Sequence, residues 1–63
     1  MKATIFLEYR DGSEVCFEFI CDDPEHDALA TLLMVCRGTL MASSANRVAA
    51  YDEEGFDLCS YVK

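Results

Sequence analysis

One stretch of this chain carries a helical period, and it limits what the rest can be. Leu29, Leu32, Leu33, Cys36 and Leu40 recur at offsets of 3, 4, 7 and 11 residues, which aligns them on one stripe of an α-helix. Upstream, Asp22-Asp23-Pro24-Glu25-His26-Asp27 has the chemistry of a helix start. Asp23 is the expected N-cap, and Pro24 suits the first helical position because it has no N–H to lose. Glu25 and Asp27 then fall in the first turn, where the helix dipole favours carboxylates. The helix is expected from Pro24 to Arg37. Gly38 either stops it or sits inside it at a cost of ~1 kcal/mol, in which case the stripe continues to Ala42 and breaks at Ser43-Ser44-Ala45-Asn46.

The flanking segments alternate with a period of two. Residues 2–10 and 14–21 are two expected strands around Asp11-Gly12-Ser13. A two-residue Asp-Gly turn would pair Ile5 with Glu18 and put a charge among apolar residues. An odd loop over Asp11, Gly12 and Ser13 instead pairs Tyr9 with Val15, Leu7 with Phe17, Ile5 with Phe19 and Ala3 with Cys21. One face is then wholly apolar, with Arg10 meeting Glu14 at the hairpin mouth. The opposite face holds Phe6, Cys16 and Ile20 among Glu8, Glu14 and Glu18, a candidate contact patch with a charged rim. A third strand is expected at 47–51, a turn at Asp52-Glu53-Glu54-Gly55 and a fourth strand at 56–62, with Tyr51 opposite Phe56 and Ala49 opposite Leu58. The architecture is β-β-α-β-β, an α+β fold with an antiparallel sheet and one helix on one face. Ile5, Leu7, Phe17, Phe19, Leu29, Leu32, Leu33 and Cys36 are the expected core.

Sixty-three residues make a single compact domain over 1–63. With 52% apolar residues the chain has enough to bury. Twelve acids against five bases give a formal charge of −7. The acids fall into three groups: Glu8, Asp11, Glu14 and Glu18; Asp22, Asp23, Glu25 and Asp27; Asp52, Glu53, Glu54 and Asp57. No Lys or Arg lies between Asp11 and Cys36, or between Val48 and Val62. Such a field repels nucleic acid and anionic membrane and attracts basic surfaces. No secretory leader is recognised at the N-terminus, so a cytoplasmic location is expected, with Cys16, Cys21, Cys36 and Cys59 as reduced thiols.

No catalytic or cofactor signature stands out. His26 has no nucleophile placed for it and is expected to cap the helix or face solvent. Cys21, His26, Cys36 and Cys59 lack the close paired spacing of a zinc site, and strand alternation turns Cys16 and Cys21 to opposite faces. The acids lack the alternate-ligand pattern of a calcium loop. Phe6, Tyr9, Phe17 and Phe19 have no basic groove beside them, which removes a base-stacking platform. No enzyme, metal or cofactor is expected.

What remains is an acidic surface that imitates nucleic acid. Alternate residues on one strand face lie about 6.7 Å apart, close to the spacing of phosphates along a strand. In Asp22-Asp23-Pro24-Glu25-His26-Asp27 and Tyr51-Asp52-Glu53-Glu54-Gly55, carried on one small domain, the chain resembles the acidic phage inhibitors of bacterial defence, notably DNA-mimicking anti-CRISPR proteins. The resemblance implies a phage-encoded, non-enzymatic inhibitor that blocks a basic DNA-binding site on a host CRISPR effector, such as a type I complex. The candidate contact residues are Glu8, Glu14, Glu18, Asp22, Asp23, Glu25, Asp27, Asp52, Glu53, Glu54 and Asp57. A monomer is expected, with no direct nucleic-acid or membrane binding. The alternative is a small assembly protein that dimerises through Phe6, Cys16 and Ile20.

Overall fold

Two β-hairpins and one helix follow each other in the expected order in the computed structural model, which describes residues 1–25 and 27–63. The role expected for His26 lies outside the described residues. Strand β1 (Lys2–Glu8) pairs with β2 (Glu14–Ile20), helix α1 spans Ala28–Ala42, and β3 (Arg47–Asp52) pairs with β4 (Asp57–Val62). All pairings are antiparallel and the sheet order is β2-β1-β3-β4, so β1 and β3 join the hairpins.

Both hairpins turn through the same kind of three-residue loop. Tyr9 N–H donates to the Ser13 carbonyl and Gly12 N–H to the Tyr9 carbonyl, each at 3.0 Å. The loop is therefore Arg10-Asp11-Gly12, with Gly12 at φ +88° in the last position, where a left-handed residue closes such turns. This corrects the expected register by two residues: Leu7 faces Val15, Ile5 faces Phe17 and Ala3 faces Phe19. A shift of two leaves every side chain on its expected face. Arg10 sits in the loop rather than opposite Glu14, which lies across from Glu8. In the second hairpin Gly55 N–H donates to Asp52 at 3.1 Å and Asp52 N–H to Phe56 at 3.0 Å, with Gly55 also at φ +88°. Tyr51 consequently faces Asp57 instead of Phe56. A bulge between Ala50 and Tyr51 then sets Ala49 opposite Ser60 instead of Leu58.

The helix starts later than its apolar stripe and Pro24 suggest. Asp27 is the N-cap, its Oδ1 accepting from Ala30 N–H at 3.1 Å, and the first turn holds no acid. Asp23 instead accepts from Glu25 N–H at 2.9 Å in the turn before it. The added connector has a geometric reason. α1 packs on β3 and β4, whereas the chain leaves the sheet at edge strand β2, so it must cross β1 first. Neighbouring strands are about 4.8 Å apart, and a helix begun at Pro24 would leave too little chain for that crossing. Gly38 lies inside the helix, with open space where a Cβ would stand.

The position of α1 decides the core. Ile5, Leu32, Cys36 and Val48 are fully buried, with Ala3, Leu7, Leu40, Ala45 and Ala50 around them. On β2 the helix-side residues project past the cover: Val15 is 50% exposed and Phe17 36%, while Phe19 is half-buried. Leu29 is exposed and Leu33 half-buried. Of the eight expected core residues, Phe17 is thus on the surface because edge strand β2 projects past the helix, and Leu29, in the first turn of α1, is exposed as well. No helix among the described residues is long and apolar enough to cross a membrane.

Candidate functional site

The topology sorts the charges between the two ends of the sheet. β2 ends, β1 begins, β3 ends and β4 begins at one end, where Met1 and Cys21 are hydrogen-bonded and Ala3 faces Asp52. α1 finishes at the other end, where Asn46 N–H donates to Glu8 and Lys63 Nζ to the Ser43 carbonyl at 2.5 Å. Fifteen residues of helix cover about 22 Å, so its N-terminus points back to the first end. That end collects Glu18, Asp22, Asp23, Glu25, Asp27, Asp52, Glu53, Glu54 and Asp57, nine of the twelve acids, with Lys2 alone of the five bases. Glu8, Asp11 and Glu14 share the far end with Arg10, Arg37, Arg47 and Lys63.

Two of the three sequence clusters therefore meet, and Glu18 joins them. Lys2, Thr4, Glu18, Asp52 and Glu53 line one shallow depression of about 340 Å³. Glu8 and Glu14 stand apart, on the helix-free face at the far end. There Arg47 Nη1 donates to Glu8 Oε1 at 3.1 Å and neutralises one of the facing carboxylates. The hydrogen bond from Arg47 to Glu8 holds the guanidinium pKa above its ordinary value, with the charge of Glu8 adding to it.

Several acids at the charged end also hold the backbone. Asp52 Oδ1 accepts from Glu54 N–H and Phe56 N–H, each at 2.9 Å, and so fixes the second hairpin loop. Asp27 caps the helix and Asp23 closes the turn before it. Asp22 lies 3.6 Å from the terminal amine and Glu18 3.7 Å from Lys2 Nζ, both on the surface, where ion pairs contribute about 0–1 kcal/mol. Each bond leaves the carboxylate charged, so the structural roles do not remove these groups from the field. Glu25, Glu53, Glu54 and Asp57 are exposed and have no ion pair among the described residues.

The apolar part of this surface differs from the expected patch. Phe6 is half-buried, its ring edge-on to Tyr51 at 5.7 Å, and the two shield Ala49 on the open face. Cys16 is exposed and Ile20 is 59% exposed. Phe56, 65% exposed, closes the acidic loop. A strand over 56–62 would begin at Phe56, whereas β4 begins at Asp57. The Gly at the end of Glu53-Glu54-Gly55 is the signal that ends the loop there and makes Phe56 the residue that closes it.

No described group of His, Cys, Asp and Glu is arranged to hold a metal ion. No known protein family, curated protein or solved structure matches the chain.

Proposed function

We propose that this is a non-enzymatic binding protein whose acidic end occupies a Lys/Arg-rich nucleic-acid site on a partner, in place of the phosphates that site was built for. The observation that supports it most is the gathering of nine acids around Lys2 and the terminal amine at one end of a domain otherwise close to charge balance. A polarised charge distribution steers encounter with a basic surface and repels free nucleic acid. The exposed acids Glu25, Glu53, Glu54 and Asp57 supply the phosphate-like groups, and Phe56 and Ile20 supply apolar contact beside them. The resemblance to phage inhibitors points to a CRISPR-type effector in a bacterial cytoplasm as the partner. Phe6 is partly closed off by Tyr51, which reduces the apolar area that a dimer through the open face would use.

The test is competition. Tagged protein is used to capture partners from bacterial lysate at low and high salt, and duplex DNA is added to the captured complex. A salt-sensitive complex that DNA displaces, and that Glu53→Lys with Glu54→Lys disrupts more than Glu14→Lys does, supports the reading. A complex that binds DNA and this protein together, or that ignores the paired reversal, overturns it.

A further inference from the structure

Cys36 and Cys59 face each other across the helix–sheet interface with their Sγ atoms 3.7 Å apart. Cys36 lies on the buried stripe of α1 between Leu32 and Leu40 and has no exposed surface. Cys59 lies opposite Ala50 on the helix side of β4 and is partly exposed. Neither belongs to the acidic surface. A disulfide has its sulfurs about 2.05 Å apart, so the pair is within a side-chain adjustment of bonding distance.

We propose that Cys36 and Cys59 are an oxidisable dithiol, a modification site at which a small-molecule disulfide such as glutathione disulfide joins α1 covalently to β4. Solvent reaches Cys59, so its thiolate attacks one sulfur of glutathione disulfide. A mixed disulfide forms and one glutathione thiolate leaves. Cys36 then loses its proton to that thiolate and attacks the Cys59 sulfur, expelling the second glutathione. Two protein thiols are oxidised, one small disulfide is reduced to two thiols, and the balance closes.

The environment sets this order. Burial, and then the hydrogen bond and charge of Cys59, push the Cys36 pKa up. Cys36 therefore stays a thiol while Cys59 is free. In the mixed disulfide Cys59 no longer has a titratable thiol, so its part in holding the Cys36 proton is lost and burial alone remains. Cys16, exposed on the open face, and Cys21, beyond the end of β2, have no sulfur neighbour among the described residues.

Linkage makes the proposal quantitative. If folding holds the two sulfurs together, the bridge forms more readily in the native chain than in the unfolded one, and it stabilises the fold by the same factor. For a cross-link between residues this far apart in sequence, the chain-entropy model puts that factor on the order of a hundredfold.

The experiment uses the full chain carrying Cys16→Ser and Cys21→Ser, equilibrated in glutathione buffers of graded ratio, then alkylated and mapped by mass spectrometry. The expected product is a Cys36–Cys59 bridge without retained glutathione, formed at glutathione ratios at least tenfold more reducing in native buffer than in urea. With Cys59→Ser as well, Cys36 should stay unmodified in native buffer. A lasting glutathione adduct on Cys59 with Cys36 still free would overturn the proposal. Equal bridging in native buffer and in urea would also overturn it, as would a bridge in the parent chain that runs to Cys16 or Cys21.

Discussion

Replacing Leu32 and Phe17 separately with alanine tests where the helix lies. Leu32 is fully buried between α1 and the sheet, so its loss leaves a cavity that close-packed neighbours fill only in part. Such a change costs about 3–5 kcal/mol. A domain of 63 residues has on the order of 3–9 kcal/mol of stability to lose. Phe17 is the larger side chain, but over a third of it remains in water and no helix covers it, so its truncation should cost about 1–2 kcal/mol. The assay is urea unfolding followed by circular dichroism, where a slope of about 1 kcal/mol/M turns the difference into a midpoint gap of roughly 2 M. The Leu32 variant should be the weaker by that margin, or unfolded before urea is added. If Phe17→Ala is the more damaging, the helix covers edge strand β2, and its placement toward β3 and β4 is wrong.

Asp27→Ala should lose ~1 kcal/mol of stability, and Asp27→Asn much less, because asparagine keeps the capping oxygen. Equal losses for the two in urea unfolding would separate the effect from the cap. Gly38→Ala should stabilise by about 0.5–1 kcal/mol, since a Cβ there meets nothing. Gly55→Ala should destabilise by about 1–2 kcal/mol through its φ of +88°, so thermal midpoints should move in opposite directions. The Asp11 carboxyl is held below its ordinary pKa, first by the Ser13 hydroxyl and then by the Ser13 backbone N–H. The native state thus binds that proton less readily than the unfolded chain. The contribution is present above the ordinary carboxylate range and is lost as pH falls through the lowered value. NMR titration should find the Asp11 carboxyl below its ordinary value, and Asp11→Asn should flatten that part of the acid limb.

The faces of the strands were legible in the sequence, but their register was not. Alternation separates Ile5 and Leu7 from Phe6 and Glu8 without ambiguity, yet a slide of two residues preserves that separation. Only the loop distinguishes the candidates, through the position of Gly12 at its end. The same holds for Gly55. The helix stripe was visible from Leu32 to Leu40, but Asp23-Pro24 and Asp27-Ala28 both have the chemistry of a start. The choice between them depends on how far the chain must travel across the sheet, which local sequence does not encode. Strand order was equally out of reach, and with it the exposure of Phe17. For the acidic site, composition identified the carboxylates but not their division, since Glu18 and Glu53 become neighbours only through the pairing of β1 with β2 and β3.

That central pairing also governs how the chain reaches its fold. Each hairpin closes through a loop of three residues and can form within microseconds on its own. The β1–β3 seam, by contrast, brings Ile5 to Ala50 across most of the chain. Its loop-closure entropy must be met before the seam returns any contact energy, and docking of α1 lowers that barrier by shortening the path between the hairpins. The folding rate should therefore respond to substitutions at the hairpin tips and in α1, which are in place when the seam closes, while contacts completed only after the seam forms should chiefly alter the rate of unfolding.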